Sequence, residues 1–147
     1  MQGNACAVLI AAALIVACSQ HEQDLTEHEN NVVIKEIVSV YDADTFRASL
    51  RDWPEYLGAD VGIRVRGVDA PEIRGKCKRE KSQAKQARDY VRDLLAEARS
   101  VTLTNVETDK YFRLVADVYI DGENLSNTLI AKGLARTYDG GKRAGWC

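Results

Sequence analysis

Between residues 78 and 98 the hydrophobic period of this chain changes, and that change limits the possible folds more than any other feature. Ala84, Ala87, Val91, Leu94, Leu95 and Ala98 recur at three- and four-residue steps, while Lys and Arg largely fill the positions between. One apolar stripe at this spacing predicts an amphipathic helix over Lys78–Ala98. On either side the pattern is that of strands. Val32–Val40 (VVIKEIVSV), Thr45–Leu50 and Val61–Val68 precede the helix; Val101–Val106 and Leu114–Ile120 follow it. They are rich in β-branched residues and separated by polar segments. Tyr41–Asp44 reads as a turn, and Arg51–Asp60, with Trp53, Pro54 and Gly58, as a loop. Pro71 ends the third strand because it lacks a backbone donor. Asp121-Gly122 is a turn signal, Leu125–Lys132 a short helix stopped by Gly133, and Tyr138–Cys147 a loop unless something pins it.

Three strands, a long helix, two strands and a short helix make an α+β chain. The order predicts an OB-fold, a five-stranded Greek-key β-barrel with a long helix between strands 3 and 4 and a short helix after strand 5. Within Val61–Val68, Arg64 and Arg66 are two apart and share a face, which must meet water, a ligand or acids.

The domain begins near residue 31. Ahead of it, residues 5–17 (ACAVLIAAALIVA) are unbroken small and apolar residues, too few for a bilayer-spanning helix of roughly 20. Their place is that of a signal-peptide core. Ile15-Val16-Ala17-Cys18 resembles a bacterial lipobox. It implies a lipoprotein-type signal peptide over residues 1–17, cleavage before Cys18, and a lipid on Cys18 that anchors the protein to a membrane facing the periplasm or cell exterior. The leading MQGN carries no Lys or Arg, so a plain secretory signal or an uncleaved anchor is the alternative. Residues 18–30 read as an acidic tether, and 31–147 as a single domain, expected to be monomeric.

The net charge is −2, but residues 21–30 hold four of the 22 acids and none of the 20 basic residues, leaving the domain at +2. Arg74, Lys76, Lys78, Arg79, Lys81, Lys85, Arg88 and Arg92 face only Glu80 and Asp89 over the same stretch. Such a segment either holds a polyanion or forms an ordinary solvated helix face. Of the four cysteines, Cys6 leaves with the leader. If Cys18 is lipidated, Cys77 and Cys147 remain as a pair, and export permits a disulfide between them. No cysteine spacing suggests zinc.

Three short segments carry candidate chemistry: Asp42-Ala43-Asp44-Thr45, Arg64 through Asp69-Ala70-Pro71-Glu72, and Asp109-Lys110-Tyr111-Phe112-Arg113. Each sets carboxylates or guanidinium groups at a strand end or turn. Two aspartates with carbonyls and waters suit a hard cation such as calcium. Two arginines beside a carboxylate-held cation suit a phosphodiester, bound in bidentate fashion and stabilised as charge grows on it. One further carboxylate could orient or deprotonate a water. Taken singly, Asp42 and Asp44 could be turn residues, and Asp69 and Glu72 could form surface ion pairs.

Together the three segments resemble the motifs of the staphylococcal nuclease family, in the same order and spacing, from about Val33 to Tyr138. The resemblance implies the OB-barrel and a calcium-dependent nuclease that hydrolyses DNA, and in some cases RNA, at the 5′ P–O bond to leave 3′-phosphates. It implies that Asp44 and Asp69 ligate Ca²⁺ by side chain and Ala70 by its carbonyl. Thr45 would support the site through its hydroxyl and Asp42 from behind the ligands. Glu72 would be the general base or water-orienting carboxylate, and Arg64 and Arg113 would clamp the scissile phosphate. Lys110 and Tyr111 would touch a neighbouring phosphate, and Tyr138 would be a weak substrate contact or a packing residue. Phe112 stands where the family often has Gly, a bulk expected to reshape the phosphate approach. The alternative is an inactive OB-fold module that binds nucleic acid on an exported lipoprotein; degenerate copies usually lose residues of the Asp44, Arg64 or Glu72 type, and here all three are present.

Overall fold

The computed structural model describes residues 31–147. The proposed signal peptide, Cys18 and the acidic tether lie outside the described residues. Eleven elements follow in order: β1 (Val32–Asp42), β2 (Thr45–Leu50), α1 (Glu55–Gly58), β3 (Val61–Val65), β4 (Val68–Asp69), α2 (Lys78–Glu97), β5 (Val101–Thr108), β6 (Leu114–Ile120), β7 (Glu123–Asn124), α3 (Leu125–Ala131) and β8 (Arg136–Thr137).

Strands pair in the order β3-β2-β1-β5-β6, and β3 also pairs with β6 in parallel (Ile63 opposite Leu114), which closes a five-stranded barrel. The expected OB-fold is therefore present. Closure leaves the sheet without a free edge among these five strands. Alternation drives the packing: β6 reads buried, half-buried, buried along its whole length, with Leu114, Ala116, Val118 and Ile120 inward. Phe46, Ile63, Leu103, Leu125 and Leu129 are fully buried at the centre. Helix α2 lays Ala84, Ala87, Val91 and Leu95 on the barrel, and its basic residues stand largely in solvent. The long basic run is thus mainly the outer face of an amphipathic helix.

Two boundaries differ from expectation in ways that shape the site. The third strand stops at Val65. Gly67 takes φ +80°, and after the turn Val68 and Asp69 form a separate ladder with β8 (Val68 opposite Thr137, Asp69 opposite Arg136). Glycine adopts this left-handed backbone without a side-chain clash. The turn also separates the two arginines expected on one face. Arg64 is buried against Asp44, whereas Arg66 reaches Glu107 at 3.4 Å and the Asn105 carbonyl at 2.5 Å. The predicted loop Arg51–Asp60 contains the single-turn α1, opened by Pro54.

The tail is pinned. Cys77 and Cys147 form a disulfide, with Cα atoms 5.9 Å apart, a usual separation for the bond. Cys77 is also the N-cap of α2, its sulfur accepting from the Glu80 N–H.

Candidate active site

The site lies where the β1–β2 turn, the β3–β4 segment and the β5–β6 hairpin meet. Asp44 sits in the tight turn between β1 and β2, where Asp42 pairs with Thr45. It is buried, and four donors surround it. Its Oδ2 accepts from the Ala70 N–H at 2.7 Å and forms an ion pair with Arg64 Nη1 at 2.6 Å, while that Nη1 donates to the Asp44 carbonyl at 3.2 Å. Its Oδ1 accepts from the Thr45 hydroxyl at 3.0 Å, and its carbonyl accepts from the Val65 N–H at 2.9 Å. Arg64 continues through Nη2 to the Val68 carbonyl at 2.8 Å. Arg64 is thus seated in the frame that holds Asp44 and Asp69, while still bordering the cleft described below. A buried ion pair of this kind persists because hydrogen bonds satisfy its remaining valences.

Asp42 accepts the Ile73 N–H at 2.9 Å, tying the end of β1 to the residue after Glu72. Its pKa is raised, chiefly by burial, with the charges of Asp44 and Glu72 adding to the effect; the Ile73 hydrogen bond and Arg64 oppose it. Asp69 is buried at the end of β4. Its Oδ2 accepts from the Trp146 indole N–H at 3.0 Å. Its Oδ1 lies 3.2 Å from Arg143 Nε, an ion pair in which that oxygen receives no well-aligned hydrogen bond. Glu72 is half exposed and pairs with Arg143 Nη1 at 2.6 Å.

Arg143 therefore meets acids from two directions. Burial would lower its pKa, but the charges of Asp69, Asp44 and Glu72 raise it. Asp69 and Glu72 thus meet at one position held by a cation, and Asp44 adjoins it through the Ala70 N–H.

The β5–β6 hairpin supplies the opposite wall. Asp109 accepts from the backbone N–H groups of Tyr111 (2.8 Å) and Arg113 (3.1 Å), and from Arg113 Nε (2.9 Å) and Nη2 (2.7 Å). This fold-back puts Phe112 at φ +60° and 89% exposed, pointing its bulk to solvent. The Arg113 stem crosses Gly62 of β3, where an added Cβ would lie 3.0 Å from its Cγ. Lys110 and Arg113 both stand over the exposed Tyr111 ring, at 5.1 and 5.3 Å.

Between these walls is an open cleft of about 1090 Å³, bordered by Arg64, Lys110, Tyr111, Arg113, Tyr138 and Arg143 among others. Its cationic rim and exposed aromatics suit an extended anion carrying flat groups. Tyr138 borders the cleft and also donates its hydroxyl to the Gly141 carbonyl at 2.8 Å, so it both packs and faces the opening.

The family model described as staphylococcal nuclease homologue matches residues 62–144, more than half of the chain. The chain belongs to the staphylococcal nuclease homologue family. It is also similar to a Schizosaccharomyces pombe protein named a "probable endonuclease", 31% identical over 87 residues, covering 54% of this chain and 37% of that protein. The chain thus corresponds to little more than a third of that relative's length.

Within this nuclease-homologue domain the motif residues converge as their order suggested. Others went unread in the sequence. Asp109 was visible as a motif letter, but its hold on Arg113 was not. Glu80 accepts from the Lys76 N–H at 2.9 Å and the Glu72 N–H at 3.5 Å, bracing the Glu72 loop. Arg143 and Trp146 lay in a tail read as loop, and only Cys147 signalled that this tail returns to the body.

Proposed function

We propose that this protein is a calcium-dependent nuclease that cleaves the 5′ P–O bond of DNA, and of RNA, leaving 3′-phosphates. The observation that carries the proposal is the meeting of Asp69 and Glu72 at one cation position, with Asp44 bonded to the adjoining Ala70 N–H, beside a cleft bordered by Arg64 and Arg113. The donor set fits calcium. It consists of hard oxygens, and the buried Asp69 Oδ1 has no hydrogen-bond partner. Asp44, Asp69 and the Ala70 carbonyl would hold the ion, which supplies positive charge next to the phosphate when bound.

In this reading Glu72 takes the proton of a water as its oxygen attacks phosphorus in line. Arg113, held as a fork by Asp109, meets the non-bridging oxygens as their charge grows, and Arg64 adds its field from behind. The bond to the 5′ oxygen breaks, and that oxygen takes a proton from water in the open cleft. Lys110 and Tyr111 engage the next phosphate, and Tyr138 lines its path. The disulfide supports an exported, oxidising location. The lipid anchor at Cys18 and a monomeric state belong to the same proposal.

The test is cleavage of single-stranded DNA by the purified protein, with calcium and then with excess chelator. Glu72→Gln should lower the rate at least 100-fold while nucleic-acid binding persists, on the scale of a lost general base. Cleavage that continues in chelator would refute the cation's role, and an unchanged Glu72→Gln rate would remove Glu72 from the chemistry.

A further inference from the structure

The C-terminal segment Gly140–Cys147 lies against the carboxylates, and no motif of the chain accounts for it. Its far end is locked. Cys147 is bonded to Cys77 at the start of α2. The Trp146 carbonyl accepts from Arg79 Nε at 3.2 Å and Nη2 at 3.0 Å. The Trp146 ring is 8% exposed, with the Arg136 guanidinium stacked on it at 3.7 Å, and Arg136 Nη1 also donates to the Gly145 carbonyl at 3.0 Å. From this seat the indole N–H reaches Asp69 Oδ2 at 3.0 Å.

The near end is more exposed. Gly140 and Gly141 take φ +107° and +82°, and the Arg143 side chain is 39% exposed. Arg143 nevertheless spans Asp69 (3.2 Å) and Glu72 (2.6 Å). One strap thus delivers two different partners to Asp69, a buried neutral donor and a partly exposed cation, and the cation also reaches Glu72.

We propose that this strap is a working part of the cation site: Trp146 positions Asp69, and Arg143 is the resident counter-charge that a divalent ion must displace. The inference rests on the cation-dependent reading above and adds residues that reading does not require. A buried carboxylate needs partners. Trp146 satisfies Oδ2 and fixes the plane of the group, leaving Oδ1 turned toward the shared cation position. Arg143 neutralises Oδ1 and Glu72 when no ion is bound. Its contact with Glu72 is a half-exposed ion pair, of little net stability, and its contact with the buried Asp69 Oδ1 lacks an aligned hydrogen bond, so a divalent ion that takes over both charges can replace it.

The two residues therefore act on cation affinity with opposite signs, which a merely structural tail would not do. Calcium binding to the whole protein, measured by calorimetry, should weaken roughly 10-fold or more in Trp146→Phe, the scale for losing a partner that orients a metal ligand. Phe retains the stacked ring and leaves the disulfide in place. Arg143→Gln should bind calcium several-fold more tightly, because the competing positive charge beside Asp69 and Glu72 is gone. Melting temperature and near-ultraviolet circular dichroism without calcium establish that both variants are folded. If wild type binds calcium and both variants match it, or both shift in the same direction, the strap has no such role and the nuclease reading stands. If wild type binds no calcium, the strap proposal falls together with the cation site itself.

Discussion

Asp109 receives four hydrogen bonds, two of them from the guanidinium it aims. Burial would raise its pKa, but the backbone and side-chain hydrogen bonds from Arg113, the Tyr111 N–H and the Arg113 charge outweigh burial and lower it below the ordinary 3.8. A depressed carboxylate contributes stability that is fully present above 3.8 and is lost as pH falls through its folded value. The hairpin order around Arg113 should therefore survive to below pH 3.8 and then fail. A carbon-13 titration of the Asp109 carboxylate, with the Tyr111 and Arg113 amides following it, should give a midpoint under that value; a midpoint at or above it would show that the fork is not held as described. At neutral pH, Arg113→Ala should leave the fold intact and lower cleavage about 100- to 1000-fold, the scale of losing one preorganised donor to a transition-state oxyanion. Equal single-turnover rates for variant and wild type would remove Arg113 from the phosphate.

At the scale of elements, α2 does more than cover the barrel. Its first turn carries Glu80, a buried acid that braces the Glu72 loop through the Lys76 and Glu72 N–H groups and crowds against Gly75. Hydrogen bonds to a charged acceptor contribute about 1.5–3 kcal/mol, so Glu80→Ala should destabilise the domain by about 2–3 kcal/mol in urea unfolding. A change under about 0.5 kcal/mol would mean that the loop holds itself. The sequence made the element plan legible where one period persisted. The limits of β2 and β6 and the stripe of α2 follow directly from which residues must be buried. Glu80 was illegible because it lay among eight basic residues, and its partners appear only once the loop folds back. The break after Val65 was hidden for a related reason: the apolar pattern runs on through Val68, and only the left-handed backbone at Gly67 interrupts it. Gly62, likewise, looks like a weak strand residue until Arg113 is seen lying across it.

For the whole molecule, the disulfide joins residues 70 apart and encloses α2, β5, β6 and α3, so the loop it closes is most of the second half of the domain. The cysteine pair was legible once Cys6 and Cys18 were assigned to the leader and the lipid, with export permitting the bond. What the bridge brings to the acids was not, because the contacts of Arg143 and Trp146 with Asp69 and Glu72 span more than 70 positions and follow no local period. Closing a loop of this length stabilises the fold by up to about 4 kcal/mol through the unfolded chain. For a domain of this size that corresponds to roughly 10–15 °C in melting temperature. The double variant Cys77→Ser, Cys147→Ser avoids leaving a free thiol and should melt lower by about that amount in scanning calorimetry. Reductant should bring wild type down to the same temperature and leave the variant where it is. If reductant does not move the wild-type transition, the bridge is not formed in the protein, and the tail must be held by its noncovalent contacts, chiefly those of Trp146 and Arg143.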